Sequence, residues 1–275
     1  MIDFHLHPNY SIDSRATIDG MVGSAIEKGL DAICFTTHID LNPKRSCLDG
    51  YIAVNGVLCR FCPEGVEAYI RDVRDAGIKY SDRLDIKLGF ELSYGGHFED
   101  QIKEFLERFD YDFILGAVHC MDNLAITSRA ESSAFFRINS CVEAVKRYVE
   151  STLRLVESGL FRTVAHIDGL KKYGRAFYGP DLDYMLAELL EPVLRRMADL
   201  DVGIELNTSA LRKGLDEIYP SARILEMASK FGVRVNSVGS DAHVDNQVGC
   251  DLEKAYDAID KFGLDIGQPL AFYDI

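Results

Sequence analysis

The sequence has no apolar run that approaches the length of a membrane-spanning helix. No signal peptide is visible either, because Asp3 and His5 interrupt the apolar residues at the N-terminus. The chain also has no internal repeat and no low-complexity tract. From these absences we expect a cytoplasmic protein without a membrane-embedded part.

Positive charge is scarce in this chain. Its 30 lysines and arginines stand against 44 aspartates and glutamates, which gives a formal net charge of −14. Such a charge argues against non-specific binding to nucleic acids or anionic membranes. A small anionic substrate would need cations in its site, and bound divalent metal ions would supply them. The sequence does not indicate an oligomeric state.

The chain also lacks the cysteine pattern of a disulfide framework. Its seven cysteines are odd in number and scattered, which fits a reducing compartment. Cys59 and Cys62 form a single C-x-x-C motif with no second pair to complete a structural zinc site. We therefore predict free thiols.

What the sequence does contain is a regular alternation of strand-type and helix-type segments. With 275 residues, of which 47% are hydrophobic, it can bury a full core as one domain. Seven strand–helix units without a topological reversal indicate a parallel α/β barrel related to the (β/α)8 type. We predict a single domain over 1–275, with helices at 17–28, 64–80, 98–108, 132–158, 182–200, 221–231 and 252–262.

The segment 42–64 interrupts this alternation. It contains two prolines, two glycines and three cysteines and shows little periodicity. We predict that it is a long loop over the entrance to the site, and that it contributes to specificity.

Potential metal ligands follow most of the predicted strands. Six of the seven histidines lie at or just beyond a predicted strand end, where the active sites of such barrels are found. A single histidine of this kind can also be a half-buried, hydrogen-bonded side chain. Two pairs of alternate residues, His5 with His7 and Asp241 with His243, are stronger signals, because alternate residues of a strand face the same side. The candidate ligands are His5, His7, Asp13, His38, Glu91, His119, His166, Asp241 and His243.

Nine nitrogen and oxygen donors on one rim are enough for two or three divalent metal ions. Such a cluster lowers the pKa of a bound water, so that hydroxide forms near neutral pH, and it neutralises phosphoryl oxygens during attack. The predicted chemistry is hydrolysis of a phosphate ester. These ligands suit zinc, manganese and iron alike.

The same residues carry a resemblance that runs nearly end to end. The chain resembles the polymerase and histidinol phosphatase (PHP) superfamily, whose opening motif is H-x-H and whose closing motif is S-D-A-H. Within it, the chain looks most like the histidinol-phosphate phosphatase type, on the stretches 111–119, 205–213 and 217–220. The matching motifs are His5-Leu-His7, Thr36-Thr-His38, Gly89-Phe-Glu91, Gly116-Ala-Val-His119, Ala165-His166 and Gly239-Ser-Asp-Ala-His243.

The resemblance implies a distorted (β/α)7 TIM-like barrel and divides the ligands among three ions. The implied sets are His5, His7, Glu91 and Asp241 for the first, Glu91, His119 and His166 for the second, and Asp13, His38 and His243 for the third. The implied activity is hydrolysis of L-histidinol phosphate by a metal-bound hydroxide. The alternatives are another small phosphate ester, nucleotide or phosphodiester as substrate, and a non-catalytic metal-binding module.

Several other residues are candidates for contact with the substrate. Arg212 and Lys213 can clamp phosphate oxygens, and Lys171 and Lys172, soon after His166, are similar candidates. Their alternative interpretation is a solvated basic turn. Glu205 and Asn207 alternate on one strand, and we expect them to support ligands or to contact substrate.

Three histidine or carboxylate groups are candidates for moving protons. Asp241 and His243 can act as proton carriers, although a ligated histidine is a poor general base. His97 follows Gly95 and Gly96 and can donate a proton to the leaving alkoxide. The alternative for His97 is a solvent-facing loop position.

Overall fold

The fold is built from short apolar strands separated by helices. The computed structural model describes residues 1–272. Within them the strands, in chain order, are β1 (Ile2–Leu6), β2 (Ala32–Ile39), β3 (Tyr51–Val54), β4 (Val57–Arg60), β5 (Asp85–Ser93), β6 (Phe113–Ala117), β7 (Cys120–Met121), β8 (Leu124–Ala125), β9 (Thr163–Val164), β10 (Gly203–Asn207) and β11 (Val235–Gly239). The helices are α1 (Ile18–Glu27), α2 (Pro63–Lys79), α3 (Glu99–Arg108), α4 (Ser132–Ile138), α5 (Cys141–Glu157), α6 (Lys171–Tyr178), α7 (Asp181–Leu200), α8 (Ser209–Arg212), α9 (Ala222–Phe231) and α10 (Leu252–Phe262).

Seven of the strands form one parallel sheet in the order β1-β2-β5-β6-β9-β10-β11. The two ends of the sheet meet just beyond β1 and β11, where the amide of His7 donates to the carbonyl of Ala242 at 2.9 Å. A parallel bridge between Leu6 and Ala242 completes the contact. The sheet is therefore a nearly closed barrel with helices around it, which confirms the predicted distorted (β/α)7 architecture.

The first strand, β1, has one apolar face and one polar face. Ile2, Phe4 and Leu6 alternate with Asp3 and His5, and all five side chains are buried. Because successive side chains of a strand point to opposite faces, the polar residues share one face. Asp3 accepts hydrogen bonds from the amides of Ser240 (2.8 Å) and Gly249 (2.7 Å), which ties β1 to the segment after β11.

The segment 132–158, predicted as a single helix, consists of two helices. Helix α4 ends at Ile138, and α5 starts after Ser140, which forms a capping box with Glu143. The Ser140 hydroxyl accepts from the Glu143 amide at 3.3 Å, and Glu143 accepts from the Ser140 amide at 2.9 Å. The S-x-x-E pattern that starts the second helix is visible in the sequence. The prediction of one continuous helix was wrong because Ser140 caps the start of a second helix.

The segment 42–64 is not simply a loop, since it contains the antiparallel hairpin β3–β4. The hairpin turns at Asn55 and Gly56, whose φ angles of 50° and 76° are typical of an Asn-Gly turn. The amide of Ala53 donates to the carbonyl of Tyr10 at 3.0 Å, so the hairpin lies against the loop that follows β1.

Other boundaries differ from the prediction in smaller ways. His38 and Glu91 lie inside β2 and β5, because these two strands pair over eight consecutive residues. The strand before His166 is only two residues long (β9), and helix α6 was not predicted. All seven cysteines are free thiols, as expected. In residues 1–272 no helix is both long and apolar enough to cross a membrane.

Candidate metal centre

The nine candidate ligands gather at the carboxyl ends of the barrel strands. A cavity of about 520 Å³ opens at this end. His5 and His7 are fully buried beneath it. The other seven line its wall: Asp13, His38, Glu91, His119, His166, Asp241 and His243.

The first group consists of the four residues expected to share one ion. The Nε2 atoms of His5 and His7 lie 3.5 and 3.6 Å from Oε2 of Glu91. Oδ1 of Asp241 lies 3.9 Å from Nε2 of His5 and 3.3 Å from Nε2 of His7. His5 and His7, at the end of β1, therefore face two carboxylates that come from distant parts of the chain.

The second group surrounds the other oxygen of Glu91. Its Oε1 lies 3.1 Å from Nε2 of His119 and 2.9 Å from Nε2 of His166. Nδ1 of His38 approaches Oε2 at 2.7 Å. Glu91 thus turns one oxygen to each group, which is the arrangement needed to bridge two ions.

The third group lies towards the cavity mouth. Oδ2 of Asp13 is 3.6 Å from Nε2 of His38 and 3.3 Å from Nε2 of His243. The ring of His7 stacks on that of His38 with centroids 4.0 Å apart. His38 thus directs its two ring nitrogens to Glu91 on one side and Asp13 on the other.

The donor chemistry of these groups fits divalent cations. Two buried atoms, Nε2 of His5 and Nε2 of His7, have no hydrogen-bond partner among residues 1–272, and Oε2 of Glu91 has only the close approach of His38. Buried polar atoms are nearly always paired, so unpaired donors that converge on one point indicate an ion site. One donor atom from each of His5, His7 and Asp241 lies within 4.8 Å of the others, and the same holds for His38, Glu91 and His119.

The charge states of His7 and Glu91 suit metal binding. Burial lowers the pKa of His7 well below its usual range, with His38 and His243 acting in the same direction, so that its imidazole is neutral. Burial alone would raise the pKa of Glu91, but His119 and His5 hold it well below its usual value. Neutral imidazole and ionised carboxylate are the forms that bind metals.

Polar partners fix the far nitrogen of several of these histidines. Nδ1 of His5 lies 2.5 Å from Oε1 of Glu205, and Nδ1 of His119 lies 2.9 Å from the Ser93 hydroxyl. Contacts of this kind set the tautomer and the direction of the ring. Asn207 donates from Nδ2 to Oε2 of Glu205 at 3.2 Å and is fully buried, so the structure places it behind the ligands.

The backbone is unusual at two of the candidate ligands. His166 and Asp241 have positive φ angles of 28° and 53°. Non-glycine residues rarely adopt this region, and it is concentrated at functional sites. His166 lies two residues after the end of β9, and Asp241 lies two residues after the end of β11.

The predicted basic residues occupy different positions. Lys213 lines the cavity. Arg212 donates to the carbonyl oxygens of Ser240 and Asp241, the latter at 3.3 Å, and is not among the lining residues. Lys171 is buried and paired with carboxylates at 2.8 and 3.2 Å. Its neighbour Lys172 lines the cavity instead.

His97 is exposed and lies outside the cavity wall. It belongs to a short turn, Gly96–Phe98, before α3. Its Nε2 atom contacts Oδ1 of Asn42 at 3.0 Å. The structure therefore joins His97 to the segment before the hairpin and does not bring it to the nine ligands.

Several lining residues were not singled out from the sequence. They come from loops, from the hairpin and from the short helices α6 and α8, where periodicity gives little signal. Tyr219 lies in the stretch 217–220 that carried the narrower resemblance, and the others had no such signal. The additional lining residues with polar side chains include Asp40, Asp49, Tyr51, Arg129, Tyr173, Ser209 and Tyr219.

Comparison with known proteins gives consistent matches. Residues 3–209 match the family model described as PHP domain. The chain is 36% identical to histidinol-phosphatase of Saccharomyces cerevisiae, with 98% of this chain and 89% of that protein covered. It is 28% identical to a probable histidinol-phosphatase of Thermotoga maritima, with 96% and 94% covered.

Solved structures show the same fold. A crystal structure of histidinol phosphate phosphatase from Lactococcus lactis, complexed with zinc, L-histidinol and phosphate, matches with a TM-score of 0.77 at 22% identity and covers 96% of this chain and 94% of that one. A putative histidinol phosphatase from Listeria monocytogenes matches with a TM-score of 0.80 at 22% identity, covering 92% and 99%.

Proposed function

The chain belongs to the PHP domain family, and we propose that it is a metal-dependent phosphomonoesterase that hydrolyses L-histidinol phosphate to L-histidinol and phosphate. The observation that carries the proposal is Glu91, a buried carboxylate whose two oxygens face two separate groups of histidines in one cavity. The curated relatives named histidinol-phosphatase, matched over most of their length, support the substrate. The pathway would then be histidine biosynthesis.

We assign two or three divalent ions, of zinc, manganese or iron, to the nine donors. His5, His7, Glu91 and Asp241 would hold the first, Glu91, His119 and His166 the second, and Asp13, His38 and His243 the third. When bound, such ions lower the pKa of a water molecule and neutralise the charge on phosphoryl oxygens. The number of ions and their identity belong to this proposal.

The protein's own cations would attract the phosphate. Lys172 and Lys213 both line the cavity. Neither forms an ion pair within residues 1–272, and Lys172 acts with burial to lower the pKa of Lys213. Two unneutralised ammonium groups near each other favour an anionic ligand. Arg212 has one guanidinium nitrogen, Nη1, without a partner among residues 1–272, but it does not line the cavity, so its proposed contact with phosphate requires movement of the side chain.

Proton transfer is assigned to groups that face the same space. Asp241 and His243 line the cavity, and we propose that they exchange protons with the attacking water and the ester oxygen. We also propose that His97 donates a proton to the leaving alkoxide. This role requires the His97 ring to break its contact with Asn42 and move towards the cavity. Lys171 and Asn207 are also proposed as substrate contacts from the sequence. Both are buried, so they would affect the substrate indirectly: Lys171 holds Asp168 and Glu217, and Asn207 holds Glu205.

An acidic region of the cavity suits the ammonium group of L-histidinol phosphate. Asp40, Asp49 and Cys120 lie together, with one polar atom of each within 4.8 Å of the others. Asp40 lies just after β2, whereas Lys213 follows α8 just beyond β10, so the two residues come from separate parts of the barrel rim. A substrate with phosphate at one end and ammonium at the other would match both regions.

The proposal is tested by a substrate panel on metal-loaded protein. Phosphate release from L-histidinol phosphate should be far faster than from nucleoside monophosphates or phosphodiesters. Equal rates would favour another phosphoesterase of the family. No release from any ester would favour a non-catalytic metal-binding module. We further propose a cytoplasmic location and a small phosphorylated substrate as partner, without nucleic acid; the free thiols fit a reducing compartment.

A further inference from the structure

Tyr219 is a buried tyrosine in the cavity wall whose hydroxyl makes no hydrogen bond to residues 1–272. Its side chain lines the cavity and is 2% exposed. The hydroxyl has no hydrogen-bond partner within residues 1–272. A buried hydroxyl without a partner costs free energy of folding, so its presence calls for an explanation.

The backbone of Tyr219 is firmly held. Its amide donates to the carbonyl of Asn207 at 2.9 Å, and its carbonyl accepts from the amide of the same residue at 2.6 Å. Asn207 is the last residue of β10, so the tyrosine is attached to the barrel itself. The ring is therefore placed by the scaffold, which is how proteins orient groups that contact ligands.

The residues on both sides of Tyr219 are held by a buried network. Lys171 Nζ pairs with Glu217 at 3.2 Å and with Asp168 at 2.8 Å, and Asp168 accepts from the amide of Ser221 at 2.9 Å. Lys171 Nζ also lies 5.7 Å from the centroid of the Tyr219 ring. The network joins the segment of Tyr219 to the loop that carries His166 and leads to Lys172.

The surroundings indicate what the hydroxyl binds. Lys172 and Lys213 line the same cavity without ion-pair partners in the described chain, and the ring of Tyr219 lies 6.4 Å from that of His166. A phenol that shares a cavity with ammonium groups lacking ion-pair partners can donate to an oxyanion bound there. Resting on the phosphatase function proposed above, we propose that the Tyr219 hydroxyl donates a hydrogen bond to a phosphoryl oxygen, completing an oxyanion subsite with Lys172 and Lys213.

The test uses inorganic phosphate as the probe on metal-loaded protein. Calorimetric titration should show that Tyr219→Phe weakens phosphate binding by about 10-fold or more, because a hydrogen bond to a charged group is lost. The variant should keep its metal content by elemental analysis. Its thermal midpoint should equal or exceed that of the unmodified protein, because the removed hydroxyl has no partner in the fold.

Tyr69→Phe is the matched control. This tyrosine is also buried, but its hydroxyl donates to the carbonyls of Phe35 (2.8 Å) and Gly89 (2.9 Å) in the core. The change should lower the thermal midpoint and leave phosphate affinity unaltered. A purely structural role for Tyr219 would instead make both variants behave alike.

The outcomes separate this inference from the proposed function. If the unmodified protein binds phosphate and Tyr219→Phe binds it equally well, or if the unmodified protein does not bind phosphate, the subsite is refuted. If phosphate binding depends on Tyr219 but L-histidinol phosphate is not hydrolysed, the subsite stands and the proposed substrate fails.

Discussion

His5 and Glu205 form a buried histidine–carboxylate pair, with Nδ1 and Oε1 2.5 Å apart. The contact leaves Nε2 of His5 facing Glu91 and Asp241. The second oxygen of Glu205 accepts from the backbone amide of His166 at 2.9 Å. One carboxylate behind the centre therefore fixes ligands that come from two different strands.

We predict that Glu205→Gln weakens metal binding although Glu205 is not itself a proposed ligand. The amide is neutral and no longer accepts from both ring and backbone as a carboxylate does, so the direction of the His5 ring is less well defined. Loss of such partners typically costs about 10–100-fold in metal affinity or activity. Competition with a chromogenic chelator measures the affinity, and an unaltered value would show that Glu205 does not support the centre.

Removal of a proposed ligand should have a larger effect. His5→Ala and Asp241→Asn are each expected to reduce kcat/KM for L-histidinol phosphate by more than ~100-fold, with far-ultraviolet circular dichroism unchanged. Asp245→Asn makes the same chemical change at an exposed position four residues after Asp241 and should retain activity. Near-native turnover in either ligand variant would contradict the metal site.

Metal removal should lower stability as well as activity. His5 and His7 each leave a buried nitrogen atom without a partner among residues 1–272, and an ion that binds only the folded state stabilises it. At a free ion concentration of about 1,000 times Kd the gain is roughly 4 kcal/mol. For a domain of this size that corresponds to about 10 °C in the thermal midpoint. Calorimetry before and after chelation measures the shift, and identical midpoints would argue against ions at these residues.

The sequence was sufficient to predict the barrel and the gathering of the nine donors. Both follow from local rules: apolar strands alternate with helices, and parallel strands bring their carboxyl ends together. Glu205 was also singled out, because its alternation with Asn207 placed both on one face of β10. These predictions needed no knowledge of how loops fold.

The sequence was not sufficient to predict which polar residues face the cavity. Lys171 and Lys172 are adjacent at the start of α6, and successive helical residues differ by about 100° in direction, so the packing of the helix decides which one lines the wall. Asp49 and Tyr51 lie next to or within the β3–β4 hairpin, and the sequence predicted a loop there without strand pairing. The position of the Tyr219 hydroxyl depends on backbone hydrogen bonds between Tyr219 and Asn207, which are distant in the sequence.

Asp40 offers the sharpest test of the substrate. We predict that Asp40→Asn raises the KM for L-histidinol phosphate by about 10-fold, because a carboxylate near the substrate ammonium is replaced by a neutral amide. The KM for p-nitrophenyl phosphate, which has no ammonium group, should remain unchanged. The substitution keeps an oxygen that can accept from the Asn42 amide, a contact of 2.8 Å in the protein, so the loop should be preserved. Steady-state kinetics with both esters measures the difference. A parallel rise in both KM values would assign Asp40 to the structure of the loop, and no rise in either would remove it from substrate recognition.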